Sequence, residues 1–248
     1  MKKITYTLAL IVSVAMISSC DVLEEVANSV LVPTSTTPSA PKLTNGEVIS
    51  GLKEALTIGI KNSVNLTSVT DGFLNNLEIK LPFPEDAIKV KQKAIEWKLE
   101  GQVTKFETTL NRAAEEASKE ALGIFTNAIT NMSVQDGFAI LNGGKGAATR
   151  FLKDQTTAQL VTAFKPKVAA AISTVKLTEY WNPIITKYNN AMTLTGGAKI
   201  NPDLEDYVTK RAISGLFTMV EKEEDKIRMD PLARVTDLLT KVFGSVKL

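Results

Sequence analysis

The side chains best suited to chemistry in this sequence are carboxylate and guanidinium groups on and near one predicted helix. Arg112 and Glu116 are spaced i,i+4, so they can pair on one helix face, and Glu115 lies beside them. Asp71 and Asn75 fall where an earlier helix ends and a loop begins, and turn formation explains them as well as catalysis does. A hydrolase with two catalytic carboxylates could use Asp71, Glu115 or Glu116. The sequence places no two of them across a cleft.

A glycine-rich segment is the best candidate for an anion site. Gly143, Gly144, Lys145 and Gly146 precede a helix that should begin near Ala147. Backbone N–H groups at a helix start, together with the helix dipole, favour phosphate or carboxylate. The segment has no GK[ST] ending and follows no strand, so it differs from a P-loop. The competing and simpler interpretation is a turn between two helices.

Charged residues also cluster at the junction of the last two predicted helices. Arg228, Asp230, Arg234 and Asp237 lie within ten residues. We expect Asp230 to cap the final helix and Arg–Asp pairs to fix the angle between the two helices. The alternative is a patch that binds a partner.

Missing residue types exclude several classes of site. The chain has no His and one Cys, which excludes Ser-His-Asp and Cys-His nucleophiles, imidazole metal ligands and intramolecular disulfides. Acidic residues at positions 107, 221 and 223–225 could suggest a di-iron bundle, but that site usually needs Glu-x-x-His. No EF-hand spacing is present. We therefore expect neither a metal nor another cofactor.

The N-terminus has the features of a targeting segment. Two lysines at positions 2 and 3 precede an apolar run from Ile4 to Ile17, which is shorter than the ~20 residues of a membrane span. The run closes on the tetrad ISSC, which ends at Cys20 and resembles the bacterial lipobox. The resemblance implies a signal peptide over 1–19, acylation of Cys20 and anchoring to a membrane of the bacterial cell envelope. It leaves open whether that membrane is the inner or the outer one.

The formal charge gives no reason to expect nucleic acid as a partner. The chain carries 29 Lys and Arg against 27 Asp and Glu, a net charge of +2. Both excess charges are the lysines of the targeting segment, so the mature chain is formally neutral. Residues 20–46 read as a lipidated N-terminus and a tether, because positions 33–46 are rich in Pro, Ser and Thr.

From about Glu47 to Leu248 the apolar residues recur at helical spacing, which predicts one all-α domain, a bundle of about seven to nine helices. The longest stripe runs from Val103 to Ala128 and predicts one central helix. Other helices are expected near 84–97, 133–142, 147–175, 178–190 and 203–229, and after Asp230-Pro231. Pro166 should kink or split its helix. Positions 78–83 are the one extended candidate, which could be a loop or an isolated strand.

Several short motifs resemble the bacterial domain-of-unknown-function family 4197 over roughly Gly51 to Gly244. They are GLKEAL from position 51, DGFLN from 71, IKLPFP from 79, LNRAAE from 110, AATRFL from 147, LEDYVT from 204, GLF from 215, DPLAR from 230, TDLL from 236 and VFG from 242. Members of that family are typically secreted or lipid-anchored envelope proteins. The family has no established activity, so the resemblance implies no functional residues.

Two functional hypotheses follow from these features. The first is a non-enzymatic lipoprotein that binds or scaffolds another envelope protein or a hydrophobic ligand, and it rests on the anchor, the tether and the neutral body. The second is a carboxylate-dependent hydrolase acting on envelope material.

Overall fold

The computed structural model describes residues 43–174, 177–200 and 202–245, and helices dominate all three ranges. The predicted signal peptide, Cys20 and most of the tether lie outside the described residues. The α-helices are α1 Asn45–Thr67, α2 Ile88–Glu96, α3 Glu100–Ser118, α4 Ala121–Thr130, α5 Val134–Asn142, α6 Ala147–Thr174, α7 Leu177–Thr195, α8 Leu204–Met229 and α9 Asp237–Ser245. Short 3-10 helices cover Glu85–Ala87 and Pro231–Ala233. These ranges contain no strand, so the all-α prediction is confirmed.

Helix α1 begins two residues before the expected start of the folded body, because Thr44 caps it. The Thr44 hydroxyl accepts a hydrogen bond from the Glu47 N–H, and the Glu47 carboxylate accepts one from the Thr44 N–H at 2.8 Å. The hydrogen bond from the Thr44 backbone is the main cause that lowers the pKa of Glu47. The positions that the prediction assigned to the end of the tether therefore belong to a helix start.

The core lies where α3, α6 and α8 pack against one another, with α1 against α8 and α7 against α3. Aromatic side chains fill the α3–α7 side of it. The rings of Phe83 and Phe106 are 4.8 Å apart, and the Phe106 ring stacks on Trp181 at the same distance. This cluster packs the loop before α2 against the bundle.

The central helix predicted from Val103 to Ala128 is wrong as a single element. The chain forms two helices, α3 and α4, separated by the exposed residues Lys119 and Glu120. Both N–H groups at the break bond to carbonyls three residues earlier, which tightens the chain into a turn. Ala117 and Ala121 are both fully buried on either side. The apolar spacing therefore continues through the break, and periodicity could not reveal it.

Other boundaries also differ from the prediction. Helix α6 runs unbroken through Pro166, and α7 extends to Thr195. The segment at 78–83, predicted as a loop or an isolated strand, is a loop, so this prediction agrees with the structure. The final helix begins at Asp237, because Asp230 accepts a hydrogen bond from the Leu232 N–H and starts a 3-10 turn instead. No helix in the described ranges has both the length and the apolar content needed to cross a membrane.

Candidate functional site

Glu115 on α3 holds the loop that follows α1. Its carboxylate Oε1 accepts hydrogen bonds from the backbone N–H groups of Phe73 at 3.1 Å and Leu74 at 3.3 Å. Its Oε2 accepts one from Arg112 Nη1 at 2.7 Å. Glu115 is buried, and these donors compensate the cost of burying its charge. We call Asp71, Arg112, Glu115 and the two backbone N–H groups the loop clamp.

The guanidinium of Arg112 extends the clamp to Asp71. Arg112 Nη2 donates to Asp71 Oδ1 at 2.6 Å, and the backbone of Asp71 has a positive φ of 69°. The hydrogen bond to Glu115 is the largest cause that raises the pKa of Arg112. The next residue, Gly72, must be small, because a Cβ there would lie 2.3 Å from the Leu66 carbonyl oxygen. Asp71-Gly72 is thus a tight turn fixed by an ion pair.

The structure brings three of the predicted residues together and leaves two apart. The expected Arg112–Glu116 pair is wrong, because Arg112 bonds to Glu115 and Asp71 instead. Glu116 points to the exposed side of α3 and pairs with Lys119 at 2.5 Å. Asn75 lies in the clamped loop with an exposed side chain. The i,i+4 rule failed because Glu115, three residues after Arg112, faces the loop together with Arg112. This orientation depends on how α3 packs, which the sequence does not show.

Sequence reasoning missed Asn111 as a functional candidate. Its side-chain Oδ1 accepts from the Leu81 N–H at 2.8 Å, and its Nδ2 donates to the Leu81 carbonyl at 3.0 Å. Asn111 is fully buried, and its side-chain amide bonds both the N–H and the carbonyl of Leu81, as the backbone of a neighbouring strand would. A signal was available, since an Asn in mid-helix beside the apolar Leu110 and Ala113 is unusual.

An open groove lies beside the loop clamp, between it and α6. Polar side chains from Ser68, Thr70, Arg112, Lys119 and Lys167 line it. Arg112 and Lys119 are paired as described, and Lys167 Nζ lies 3.0 Å from Glu120. Each of these three cations is therefore already paired with a carboxylate. Glu115 could act there as a base or nucleophile only by giving up its bonds to the loop.

The predicted anion site at the start of α6 is occupied by the chain's own carboxylate. Glu224 on α8 accepts from the N–H groups of Ala148 at 3.0 Å and Thr149 at 2.9 Å, and from the Thr149 hydroxyl at 2.8 Å. The prediction that this helix start favours an anion was physically sound. The anion is Glu224, which the sequence offered only as one of several helical carboxylates.

The glycines before α6 form the turn that the simpler interpretation described. Gly144 and Gly146 have positive φ values of 66° and 71°. Arg150 donates to the carbonyls of Gly143 and Lys145, and this closes the turn. Lys145 Nζ lies 2.8 Å from Asp225, and that hydrogen bond raises the pKa of Lys145.

Arg228 completes the network around Glu224. Its Nε donates to Glu224 Oε1 at 2.9 Å, and its Nη2 donates to the Ile140 carbonyl at 2.8 Å, so one side chain joins α8 to α5 and, through Glu224, to α6. Arg228 Nη1 is buried and has no hydrogen-bond partner within the ranges that the structure describes. We call Ala148, Thr149, Glu224 and Arg228 the helix-cap network.

Arg234 caps the C-terminus of α8 rather than pairing with an aspartate. It donates from Nε to the Ile227 carbonyl at 3.0 Å and from Nη2 to the Arg228 carbonyl at 2.8 Å. The predicted Arg–Asp pairs at this junction are wrong. Arg234 donates to backbone carbonyls of α8, and Arg228 donates to Glu224 and to the Ile140 carbonyl instead. No group of three His, Cys, Asp or Glu residues suited to a metal occurs within the described part of the chain.

Comparison with known proteins gives one family match, and the matched range covers both networks. A family model described as a protein of unknown function (DUF4197) matches residues 42–244, which include every residue of the loop clamp and the helix-cap network. No curated protein and no solved structure matches the chain.

Proposed function

We propose that this chain, which belongs to the DUF4197 family of proteins of unknown function, is a lipid-anchored scaffolding module of the bacterial cell envelope. Because the function of the family is unknown, this role is inferred from the chain's own residues. Cys20 in the lipobox-like ISSC tetrad would carry the anchor. Two or more acyl chains hold a protein at a membrane almost permanently, since each buried methylene contributes about 0.8 kcal/mol. The helical body would then present a surface to another envelope protein.

The observation that carries this proposal is the exposed apolar connection, by which we mean residues 229–235, from the last residue of α8 to the turn before α9. Met229 is 76% exposed, Leu232 89% and Val235 67%. Three large apolar side chains this exposed within seven residues favour a contact surface, because water disfavours them. Arg234 binds the end of α8 from within the same connection, so the surface is held in place.

The state of the candidate catalytic carboxylates also supports binding over hydrolysis. Glu115 is buried under the loop that it holds, Asp71 is paired with Arg112, and Glu116 is paired with Lys119. A glycosidase-type mechanism requires one carboxyl group that can donate a proton and a second that can attack or activate water. Glu115 would have to release the loop first, and Asp71 would have to release Arg112, whereas Glu116 lies on the exposed face of α3.

Two measurements test the proposal. Mass analysis of the mature N-terminus should show an acylated Cys20, and an unmodified thiol would contradict the anchor. For the surface, a photo-crosslinking residue at position 232 in intact cells should give a discrete protein adduct. The matched control is position 194 on α7, because Leu194 is equally exposed at 89%. Adducts of equal pattern from both positions, or none from position 232, would contradict the binding surface.

A further inference from the structure

A polar groove lies where α4, the start of α5 and α6 meet, and we call it the amide groove. Its volume is about 150 Å³, the space of about five water molecules. Asn127 and Asn131 line it from α4 and from the residue that ends this helix, and Gln155 and Gln159 line it from α6. Each pair is spaced i,i+4, so a row of side-chain amides on each helix borders the same groove.

These amides have hydrogen-bonding groups to offer to a ligand. A side-chain amide carries an oxygen that accepts and an NH₂ group that donates. Asn131 Nδ2 donates to Asn127 Oδ1 at 2.8 Å, which leaves the oxygen of Asn131 and the NH₂ group of Asn127 for other partners. Gln155 and Gln159 are exposed, and their side chains form no hydrogen bond with the residues that the structure describes. The groove therefore suits a ligand whose groups both donate and accept, as hydroxyl groups do.

The charge around the amide groove selects an uncharged ligand. Positions 121–135 contain no Asp, Glu, Lys or Arg, although these residues make up 23% of the chain. The charged residue in the wall is Asp136. Hydrogen bonds from the Ser133 hydroxyl and N–H lower the pKa of Asp136, so its carboxylate is ionised at neutral pH. An anionic ligand would meet this negative charge with no cation in the wall to compensate it.

The shape of the groove favours a sugar ring over a peptide. Phe151 and Ala128 form the apolar part of the wall, and both are half-buried. A sugar ring has hydroxyl groups around its edge and C–H groups on its faces, so it can bond to amides while a C–H face packs against an aromatic side chain. Each row of amides spans one helical turn, about 6 Å, which matches one sugar ring. The same length holds only about two residues of an extended peptide.

We propose that the amide groove binds one uncharged sugar ring of a glycan. The side-chain amides of Asn131, Gln155 and Gln159 exchange hydrogen bonds with the hydroxyl groups of the ring, and Phe151 packs against one of its C–H faces. Because α4 and α6 pack directly against each other, the two rows of amides are in place before the ligand binds. This site is separate from the exposed apolar connection, and it does not depend on acylation of Cys20.

The test uses the chain from position 20 with Cys20→Ser and four small probes at pH 7. Methyl β-glucoside and methyl N-acetyl-β-glucosaminide are uncharged sugars, methyl β-glucuronide has the same ring with a carboxylate, and a blocked alanine tripeptide supplies peptide groups. NMR shifts of the side-chain amides of Gln155 and Gln159 report both location and affinity. We expect at least one uncharged sugar to bind with a dissociation constant of about 1 mM, and the glucuronide and the tripeptide to bind at least about tenfold more weakly.

Two variants and one control separate the site from a general effect on the fold. Gln155→Ala and Gln159→Ala each remove one amide from the groove, so each should weaken binding of the sugar by about three- to tenfold. Gln92→Ala makes the same change at an exposed position of α2, outside the groove, and should leave binding unchanged. All three positions are exposed and helical, where alanine is well tolerated, so the variants should fold as the wild type does.

Three results would overturn the proposal. The first is the absence of a saturable shift at Gln155 and Gln159 with both uncharged sugars, which would mean that the groove holds water only. The second is binding of the glucuronide or the tripeptide as tight as that of the uncharged sugars, which would contradict the arguments from charge and shape. The third is an equal effect of Gln92→Ala and the two groove variants, which would show that the sugar binds elsewhere.

Discussion

The loop clamp and the helix-cap network each hold the charge of a buried glutamate with hydrogen-bond donors. In each, a buried glutamate accepts hydrogen bonds from two successive backbone N–H groups and from an arginine of its own helix. Glu115 does this for an irregular loop, and Glu224 does it for the first turn of α6. The arrangements differ in how far the arginine is removed from water: the side chain of Arg112 is 28% exposed and that of Arg228 is 5% exposed.

That difference decides what each network can tolerate. Arg112 reaches a second carboxylate, Asp71, and can turn to solvent if either partner is lost. Arg228 is sealed among α5, α6 and α8, so a lost partner leaves an uncompensated buried charge. Similar sets of donors therefore support two roles: the loop clamp holds a surface loop, and the helix-cap network joins three helices.

The largest expected effect is on the helix-cap network. Glu224→Ala should lower the free energy of unfolding by about 3–5 kcal/mol, because it leaves Arg228 charged and buried and frees the first N–H groups of α6. Urea unfolding followed by circular dichroism measures this. Glu116→Ala, at an exposed surface pair, is the control and should change stability by less than about 1 kcal/mol. A small loss in Glu224→Ala would mean that water reaches Arg228.

A smaller effect is expected at the loop clamp. Glu115→Ala should cost about 2–3 kcal/mol, since it removes charge-assisted hydrogen bonds but leaves Arg112 able to reach solvent. It should also release the loop, so limited proteolysis should cut within 68–83 faster than in the wild type, whereas Glu224→Ala should not favour that site. If Glu115→Ala proves more costly than Glu224→Ala, exposure of the arginine does not distinguish the two networks.

The turn that the clamp holds gives the next test. Gly72→Ala should cost about 1–3 kcal/mol, because its Cβ would collide with the Leu66 carbonyl. Gly123→Ala on α4 is the matched control. Its Cβ would meet no atom within 4 Å, so the better helix propensity of alanine should raise stability by about 0.5–1 kcal/mol. Thermal unfolding of both variants gives the comparison, and equal shifts would contradict the tight turn.

The smallest effect is expected at Asp136, a carboxylate near the surface that accepts a hydrogen bond from a backbone N–H. Asp136 accepts from the Ser133 hydroxyl at 2.7 Å and from its N–H at 3.0 Å, and these bonds, the hydroxyl first, lower the pKa of Asp136. Its contribution to stability is complete above the unfolded pKa near 3.8 and is lost as the pH falls through the lower folded pKa. The stability difference between wild type and Asp136→Asn should therefore shrink below about pH 4. A difference that is constant from pH 7 to pH 2 would contradict this assignment.

Local patterns in the sequence predicted more of the helices than of the site. The apolar spacing located most helices and their buried faces, and the helix expected near 133–142 does begin after its cap, Ser133. The apolar spacing did not reveal the break at Lys119-Glu120, because the buried residues continue at helical spacing on both sides of the turn. The helix start expected at Pro231 was also wrong, because a 3-10 turn begins there. At the glycine segment before α6, the sequence predicted that the helix start would bind an anion, but it did not show that the anion is the carboxylate of Glu224.

The sequence by itself determined the all-α class, the family and the lipobox-like N-terminus, because these depend on residue types and on spacings of three to seven positions. Only the tertiary structure decided which carboxylate meets which backbone N–H. Glu115 and Phe73 are 42 residues apart, and Glu224 and Ala148 are 76 apart. Several helical carboxylates had the same local pattern. Packing of α3 against the loop and of α8 against α6 selected two of them, because a buried N–H must have an acceptor and only the carboxylate that packing brings to it can serve.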